Sequence, residues 1–215
     1  MECRQCQGIE ETFNPKLTSR ELRDYRKKGP DRTTQLLIDA IRESGVEGAV
    51  LMDIGGGVGA IQHALIKAGV VSVTSVDAST GYTEALRQEA AHQGHADRIT
   101  QIHGNFVDLA PSLEAADIVT LDRVICCFDD MHALVGASVA KARRLYGLVY
   151  PRDTWLARAL LSLQHFFADL FHGNMRIFAH RTAEVDALVR SHGFEQAYQR
   201  NAGFWQVVMY TRSAG

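Results

Sequence analysis

The 215-residue chain contains no unbroken apolar run of about 18 residues, so it implies no membrane-spanning helix. Its first residues, Met1-Glu2-Cys3-Arg4-Gln5-Cys6, lack the apolar core of a secretory signal. There is no excess of charge: 23 Lys and Arg stand against 25 Asp and Glu, and the net value of −2 offers no global ground for nucleic acid or membrane binding. Cysteine is sparse, and four residues of it point to a reducing cytoplasm rather than a disulfide scaffold. No internal repeat or low-complexity tract occurs. What remains is 46% hydrophobic and 22% charged, an ordinary globular balance at a length that fits one domain with a full core.

The most informative stretch is Leu51 to Ala60. An apolar run from Ala49 to Ile54 ends in Gly55-Gly56-Gly57-Val58-Gly59, and a helical pattern from Ile61 to Ala68 follows. This predicts a strand, a tight turn and a helix. Glycine permits positive φ and close approach of a ligand to the backbone, and the helix start offers unpaired N–H groups.

Residues 1–14 show no periodicity and are expected to be irregular. Thr18-Ser19-Arg20-Glu21 reads as a capping box opening a helix from Ser19 to Lys28, stopped by Gly29-Pro30. Between Lys16 and Arg32 there are seven basic residues and three acidic ones, which suit a solvated helix face, a lid over the pocket, or a surface for an anionic substrate. Asp31 or Thr33 caps a helix to about Ser44. Further strands are expected at Val71–Val76, Ile99–His103, Asp117–Val124 and Leu145–Tyr150, with helices at Ser79–Gln93 and from Asp130 to about Arg144. An apolar helical stretch runs from Thr154 to His172, read as core, a homodimer face or an acceptor wall. A helix from Arg181 to His192 and two strands, Phe194–Arg200 and Phe204–Arg212, joined by Asn201-Ala202-Gly203, close the chain. Strands alternating with helices, several apolar throughout, argue a parallel sheet covered on both faces.

The glycine turn alone also satisfies a loose dinucleotide fingerprint. Three features narrow the ligand. Asp53 precedes the first glycine, where a carboxylate would repel a pyrophosphate and suit an ammonium group. Asp77 ends the second strand, 20 residues after Gly57, where a carboxylate can accept from both hydroxyls of a ribose. Gly104-Asn105-Phe106 ends the third strand, where an amide can bond an adenine edge and a phenyl ring can stack on it. The ligand so described carries a ribose, an adenine and a cationic amino-acid end, with no phosphate.

With these residues the chain resembles the class I S-adenosylmethionine-dependent methyltransferases. The resemblance rests on Asp53-Ile54-Gly55-Gly56-Gly57-Val58-Gly59, on Asp77 with Ala78 at the family's ribose position, on Asn105 and Phe106 at its adenine position, where the family more often has Gly-Asp, and on Asp117 to Asp122 as a fourth strand. It implies a three-layer, doubly wound α/β fold with seven strands in the order 3-2-1-4-5-7-6, mostly parallel. It also implies S-adenosylmethionine as methyl donor and S-adenosylhomocysteine as product. The expected organisation is an N-terminal helical lid over residues 1–32 and a cofactor-binding domain over 33–215 with a helical insertion at about 154–175. The expected cofactor-binding set is Asp53, Gly55, Gly56, Gly57, Gly59, Asp77, Ala78, Asn105, Phe106, Asp122, Arg123 and, closing the pocket, Tyr25.

Other motifs carry two readings each. Asp122 and Arg123 either flank the sulfonium or substrate or form a local ion pair. Cys126 and Cys127 are adjacent, so their side chains are expected to point apart as small buried hydrophobes; thiols that bind substrate are the second reading. Cys3-x-x-Cys6 has metal spacing, but a structural zinc needs about four ligands and no second pair exists, so no metal is expected. His132, His165, His172 and His180 lie near the predicted crevice or insertion, and none can be chosen as a base. The expected acceptor is a small molecule; a tetrapyrrole and a thiol or metalloid centre fit the fold equally well, and only the latter would use the cysteines. The alternatives are a nucleic-acid methyltransferase, a non-catalytic binding protein of this fold, and an NAD(P)-dependent oxidoreductase. Against the oxidoreductase stand Asp53, the lack of a Tyr-x-x-x-Lys pair and the lack of a second large domain.

Overall fold

The computed structural model of the chain describes residues 4–154 and 178–213. The apolar stretch with Trp155, His165 and His172 lies outside the described residues, as do Cys3 and the side chain of Cys6. In chain order the helices are α1 (Arg4–Thr12), α2 (Pro15–Lys28), α3 (Arg32–Glu43), α4 (Ala60–Lys67), α5 (Thr80–Gln93), α6 (Phe106–Leu109), α7 (Met131–Val139) and α8 (Thr182–Ser191). The strands are β1 (Val50–Ile54), β2 (Ser72–Asp77), β3 (Ile99–His103), β4 (Ala116–Asp122), β5 (Ala142–Pro151), β6 (Phe194–Ala202) and β7 (Trp205–Arg212).

The seven strands form one sheet in the order β3-β2-β1-β4-β5-β7-β6. All neighbours are parallel except the two pairs made by β7, which runs against β5 and β6. This is the topology and sheet expected from the sequence. Alternate residues of each central strand point to opposite faces. Leu51 and Ile118 pack with Leu37, Ile41, Leu65 and Leu86 of α3, α4 and α5. Met52, Ile54, Val119 and Leu121 pack with Phe106, Leu134, Val135, Val185 and Val189 of α6, α7 and α8. A strand with apolar neighbours on both faces reads as a continuous hydrophobic run, which is why these strands were legible. No helix among the described residues is long and apolar enough to cross a membrane.

Several boundaries differ from expectation. The segment expected to be irregular contains α1, which is followed by Phe13. The Phe13 carbonyl accepts from Ser79 Oγ at 3.1 Å, and the Glu10 carboxylate accepts from Thr80 N and Oγ1, so α1 is held by tertiary contacts with the start of α5. The capping box at Thr18 does not operate. Asn14 caps α2, accepting from Lys16 N at 3.1 Å and Leu17 N at 3.2 Å, with Pro15 in the first turn. Asn at the cap followed by Pro is the stronger start. Thr18 is instead buried, against Gly81 of α5.

The helix expected to reach Arg144 stops at Val139, because Ala142 joins the ladder opposite Ala116 of β4. β4 stops at Asp122 rather than Val124, because Arg123 takes φ 61° and turns the chain out of the sheet. The β6–β7 turn is Gly203-Phe204, with φ 62° at Gly203, one residue beyond the expected signal.

α3 closes one face of the sheet at Gly147 of β5, where a Cβ would come within 2.8 Å of Leu37 Cδ1. Leu37 is fully buried. Leu37→Ala is therefore expected to lower the unfolding free energy by about 2–5 kcal/mol, read from urea denaturation. A loss below about 1 kcal/mol would show that α3 does not seal this face.

Candidate active site

The parallel register brings the carboxyl ends of four strands to one edge. Ile54 pairs with Val76, Asp77 with His103, and Asp53 with Thr120. In open sheets of this type ligands bind outside the carboxyl ends where strand order reverses, which here is between β1 and β4. A cavity of about 600 Å³ opens at that point, within the range of small-molecule sites. Of the expected set, Gly55, Gly56, Gly57, Asp77, Ala78, Asn105, Phe106, Asp122, Arg123 and Tyr25 line it. Asp53 and Gly59 do not.

The turn is built for glycine. Gly55, Gly57 and Gly59 have φ of 63°, 57° and 83°, a region L side chains rarely adopt. A Cβ on Gly55 would lie 2.5 Å from Val124, and one on Gly56 would lie 2.2 Å from the Asp53 carboxylate. Asp53 thus sits directly beneath the turn. It is fully buried, accepting from Thr120 Oγ1 at 2.6 Å and from Gln62 Nε2 at 3.0 Å. Its side chain follows the alternation of β1 onto the α4 face, so it lies beneath the turn rather than on the cavity wall. Burial, with Asp122 and Asp77 adding like charge, pushes its pKa up to about 7 against the hydrogen bonds from Thr120 and Gln62.

Asp77 ends β2 at the cavity wall. It accepts from Ser79 N at 2.9 Å and Gly57 N at 3.4 Å, and burial lifts its pKa to about 6. Phe106 is a largely buried part of the same wall. Asn105 caps α6, accepting from Val107 N at 3.3 Å while its amide donates to Asp108 at 3.0 Å. That amide is already engaged locally, which the reading of Asn105 as an adenine contact did not foresee.

Asp122 and Arg123 form an ion pair at 3.0 Å, as one of their two readings had it, and the pair extends further. Arg123 also reaches Asp31, the cap of α3, at 2.5 Å, and Thr34 Oγ1 at 3.2 Å. Thr34 donates to Asp122 at 2.5 Å. Burial raises the Asp122 pKa. The positive φ of Arg123 lets its side chain turn back to these partners. Tyr25 accepts from Gln93 of α5 at 3.4 Å. Of the basic residues on α2, Arg20 and Lys28 lie within 4.0 Å of Asp24, and Arg26 binds Glu89 of α5 at 2.6 Å.

Sequence reasoning missed Tyr82, Glu21, Phe13, Ile9 and Trp205, all on the cavity wall. Tyr82 donates to Glu21 at 2.5 Å and packs at a tilt against Phe13, with ring centroids 5.0 Å apart. Its place in the first turn after Asp77 was the available signal; Trp205, from β7, had none. Cys126 and Cys127 also depart from expectation. They lie on a 3₁₀ turn, Ile125–Cys127, and both line the cavity with their sulfurs 3.9 Å apart. Adjacent side chains alternate in a strand but not on a turn of three residues. Among the described residues no histidine lines the cavity. His132 is exposed on α7, and His180 Nε2 donates to the carbonyls of Ile125 at 2.8 Å and Phe128 at 2.9 Å.

A carboxyl whose pKa is higher folded than unfolded keeps its proton longer in the folded state. Its stabilising effect is full below the unfolded value and is lost as pH rises through the folded one. For Asp53 that window runs from 3.8 to about 7. The stability advantage of the wild type over Asp53→Asn is expected to shrink across it, measured by denaturation at each pH. A difference that stays constant with pH would show that Asp53 does not titrate under the turn.

Residues 52–145 match the family model described as a methyltransferase domain. No curated protein sequence matches the chain. Among solved structures, magnesium protoporphyrin IX methyltransferase from Synechocystis PCC 6803 with bound S-adenosylhomocysteine is similar at 19% identity and a TM-score of 0.74, over 95% of this chain and 98% of that one. The same enzyme with S-adenosylmethionine gives 17% and 0.72, over 97% of each chain. An O-methyltransferase family protein from Burkholderia thailandensis gives 20% and 0.67, over 90% of this chain and 60% of that one. At these identities the likeness is one of fold. The methyltransferase-domain match runs from β1 to β5, and the strand order is the one expected of a class I S-adenosylmethionine-dependent methyltransferase.

Proposed function

We propose that the chain methylates a small, largely apolar molecule, and that the donor is held along the edge formed by Gly55–Gly57, Asp77, Ala78, Asn105, Phe106, Asp122 and Arg123. The observation that carries this reading is the placement of three carboxyls at the glycine turn, Asp53 buried beneath it and Asp77 and Asp122 on the cavity wall beside it. Such a field disfavours a pyrophosphate and favours a ligand with cationic groups. That separates a sulfonium donor from a nicotinamide dinucleotide.

Bound donor supplies a methyl group on positively charged sulfur. The chain's own contribution is placement. The Asp77 carboxylate, its orientation fixed by Ser79 N and Gly57 N, accepts from the ribose hydroxyls. Phe106 backs the adenine, and its stacking matters more than the Asn105 amide, which caps α6. The N-terminal segment, residues 1–32, acts as the lid: Ile9, Phe13, Glu21, Tyr25 and Lys28 cover the cavity from above. Facing them, Phe128, Leu134 and Trp205 offer an apolar wall for the acceptor. Holding acceptor, methyl carbon and sulfur in line supplies much of the rate in such a reaction. A small acceptor is favoured over nucleic acid because Arg20, Arg26 and Lys28 of α2 are paired with Asp24 and Glu89 rather than left free for phosphates.

Titration calorimetry tests the donor site. Wild type is expected to bind S-adenosylhomocysteine and not NAD⁺, and Asp77→Ala to bind it roughly 10- to 100-fold more weakly, the loss of one or two charge-assisted hydrogen bonds. Equal affinity for the two proteins removes the ribose assignment, and no binding by wild type removes the site. With methyl-labelled donor and a cell extract, label is expected in the acid-soluble fraction. Label recovered in precipitated RNA or DNA would instead identify a nucleic-acid acceptor.

A further inference from the structure

Methyl transfer leaves the two cavity thiols without a role. We propose that Cys126 and Cys127 form a two-sulfur site, in the cavity wall, for a trivalent thiophilic centre of the arsenoxide class. The sulfurs are 3.9 Å apart and both point toward the Arg123 carbonyl, at 3.3 Å for Cys126 and 3.6 Å for Cys127. The turn that aims them is pinned from outside. Phe178 N donates to the Cys126 carbonyl at 2.6 Å, and His180 Nε2 donates to the carbonyls on either side of the pair.

Spacing decides between the chemistries open to two thiols. Adjacent Cα atoms are about 3.8 Å apart, below the roughly 4.4–6.8 Å usual for a disulfide, whose sulfurs must close to about 2.05 Å. Two sulfurs each about 2.3 Å from one shared atom lie roughly 3.3–3.8 Å apart over pyramidal to tetrahedral angles, so the observed 3.9 Å needs to close by about half an ångström at most. The bridging atom therefore fits where the direct bond does not. A metal ion needs more donors, and among the described residues no group of three or more His, Cys, Asp or Glu could hold one. A trivalent arsenic with one organic substituent needs only two further bonds, and the pair supplies both.

The thiolate is the nucleophile. The hydrogen bond from Cys126 lowers the Cys127 pKa, with the nearby Arg123 charge helping against burial, while Cys126 keeps its proton. In the reaction with an arsenoxide, two S–H bonds and the As=O bond are lost, two As–S bonds form, and one water leaves. Arsenic stays trivalent, so no oxidant or reductant takes part.

Phenylarsine oxide tests the site without methyl donor, so the outcome is independent of the acceptor assignment. The Cys3→Ser/Cys6→Ser chain, which retains only this pair, is expected to gain one phenylarsenic group by intact mass. The adduct should survive excess 2-mercaptoethanol and be released by 2,3-dimercaptopropanol. Adding Cys126→Ser or Cys127→Ser should leave an adduct that the monothiol strips completely, with S-adenosylhomocysteine binding reporting that the fold persists. On wild type, peptide mapping should place arsenic on the peptide holding Cys126 and Cys127. No retained adduct, one equally retained by the single-serine chains, or arsenic confined to the Cys3–Cys6 peptide overturns the proposal.

Discussion

The site depends on one buried carboxyl. Asp53 lies under the glycine turn, held by Gln62 from α4 and Thr120 from β4, and Gln62 also donates to Ser75 of β2 at 3.0 Å. Asp53 and Gln62 together therefore tie β1, β2 and β4 to α4 beneath the loop. Its closeness to Gly56 leaves no space for a side chain on the turn, so the loop stays open for a ligand's backbone contacts. An isolated ionised carboxylate could not be buried at acceptable cost. Two hydrogen bonds and a pKa near neutrality make the burial sustainable.

A second constraint joins the N-terminal helices to the sheet. Arg123 adopts a left-handed φ of 61°, a strain of order 1–3 kcal/mol for a non-glycine residue. The partners it reaches there, Asp122, Asp31 and Thr34, offset that strain. Asp31 is also the cap of α3, so the cavity wall and the start of α3 share one charge network. Across the cavity the Tyr82–Glu21 bond does the same for α2 and α5. These contacts set the N-terminal segment over the glycine turn and give the cavity its roof.

The cavity then divides by chemistry. Its edge beside the glycine turn is acidic and polar, built from strand ends and helix starts. Its far wall is apolar, with two thiols and, among the described residues, no histidine. The proposal made for the thiols gives this wall an affinity for soft centres.

The sequence by itself determined the alternation of strands and helices, the sheet class and the edge at which a ligand binds. Doubly buried strands leave unbroken apolar runs, and glycines, Asp77 and helix caps mark where strands end. Only the tertiary structure decided which way side chains face. Asp53 points below the turn because of strand alternation in a paired sheet. Asn105 turned to its own helix because the cap was the nearer partner. Cys126 and Cys127 face one cavity because Arg123 ends β4 early and a 3₁₀ turn follows. Residues 4–12 form a helix because α5 supplies partners that local propensity does not. Each of these outcomes rests on contacts between residues distant in the chain, and local pattern carries no record of those.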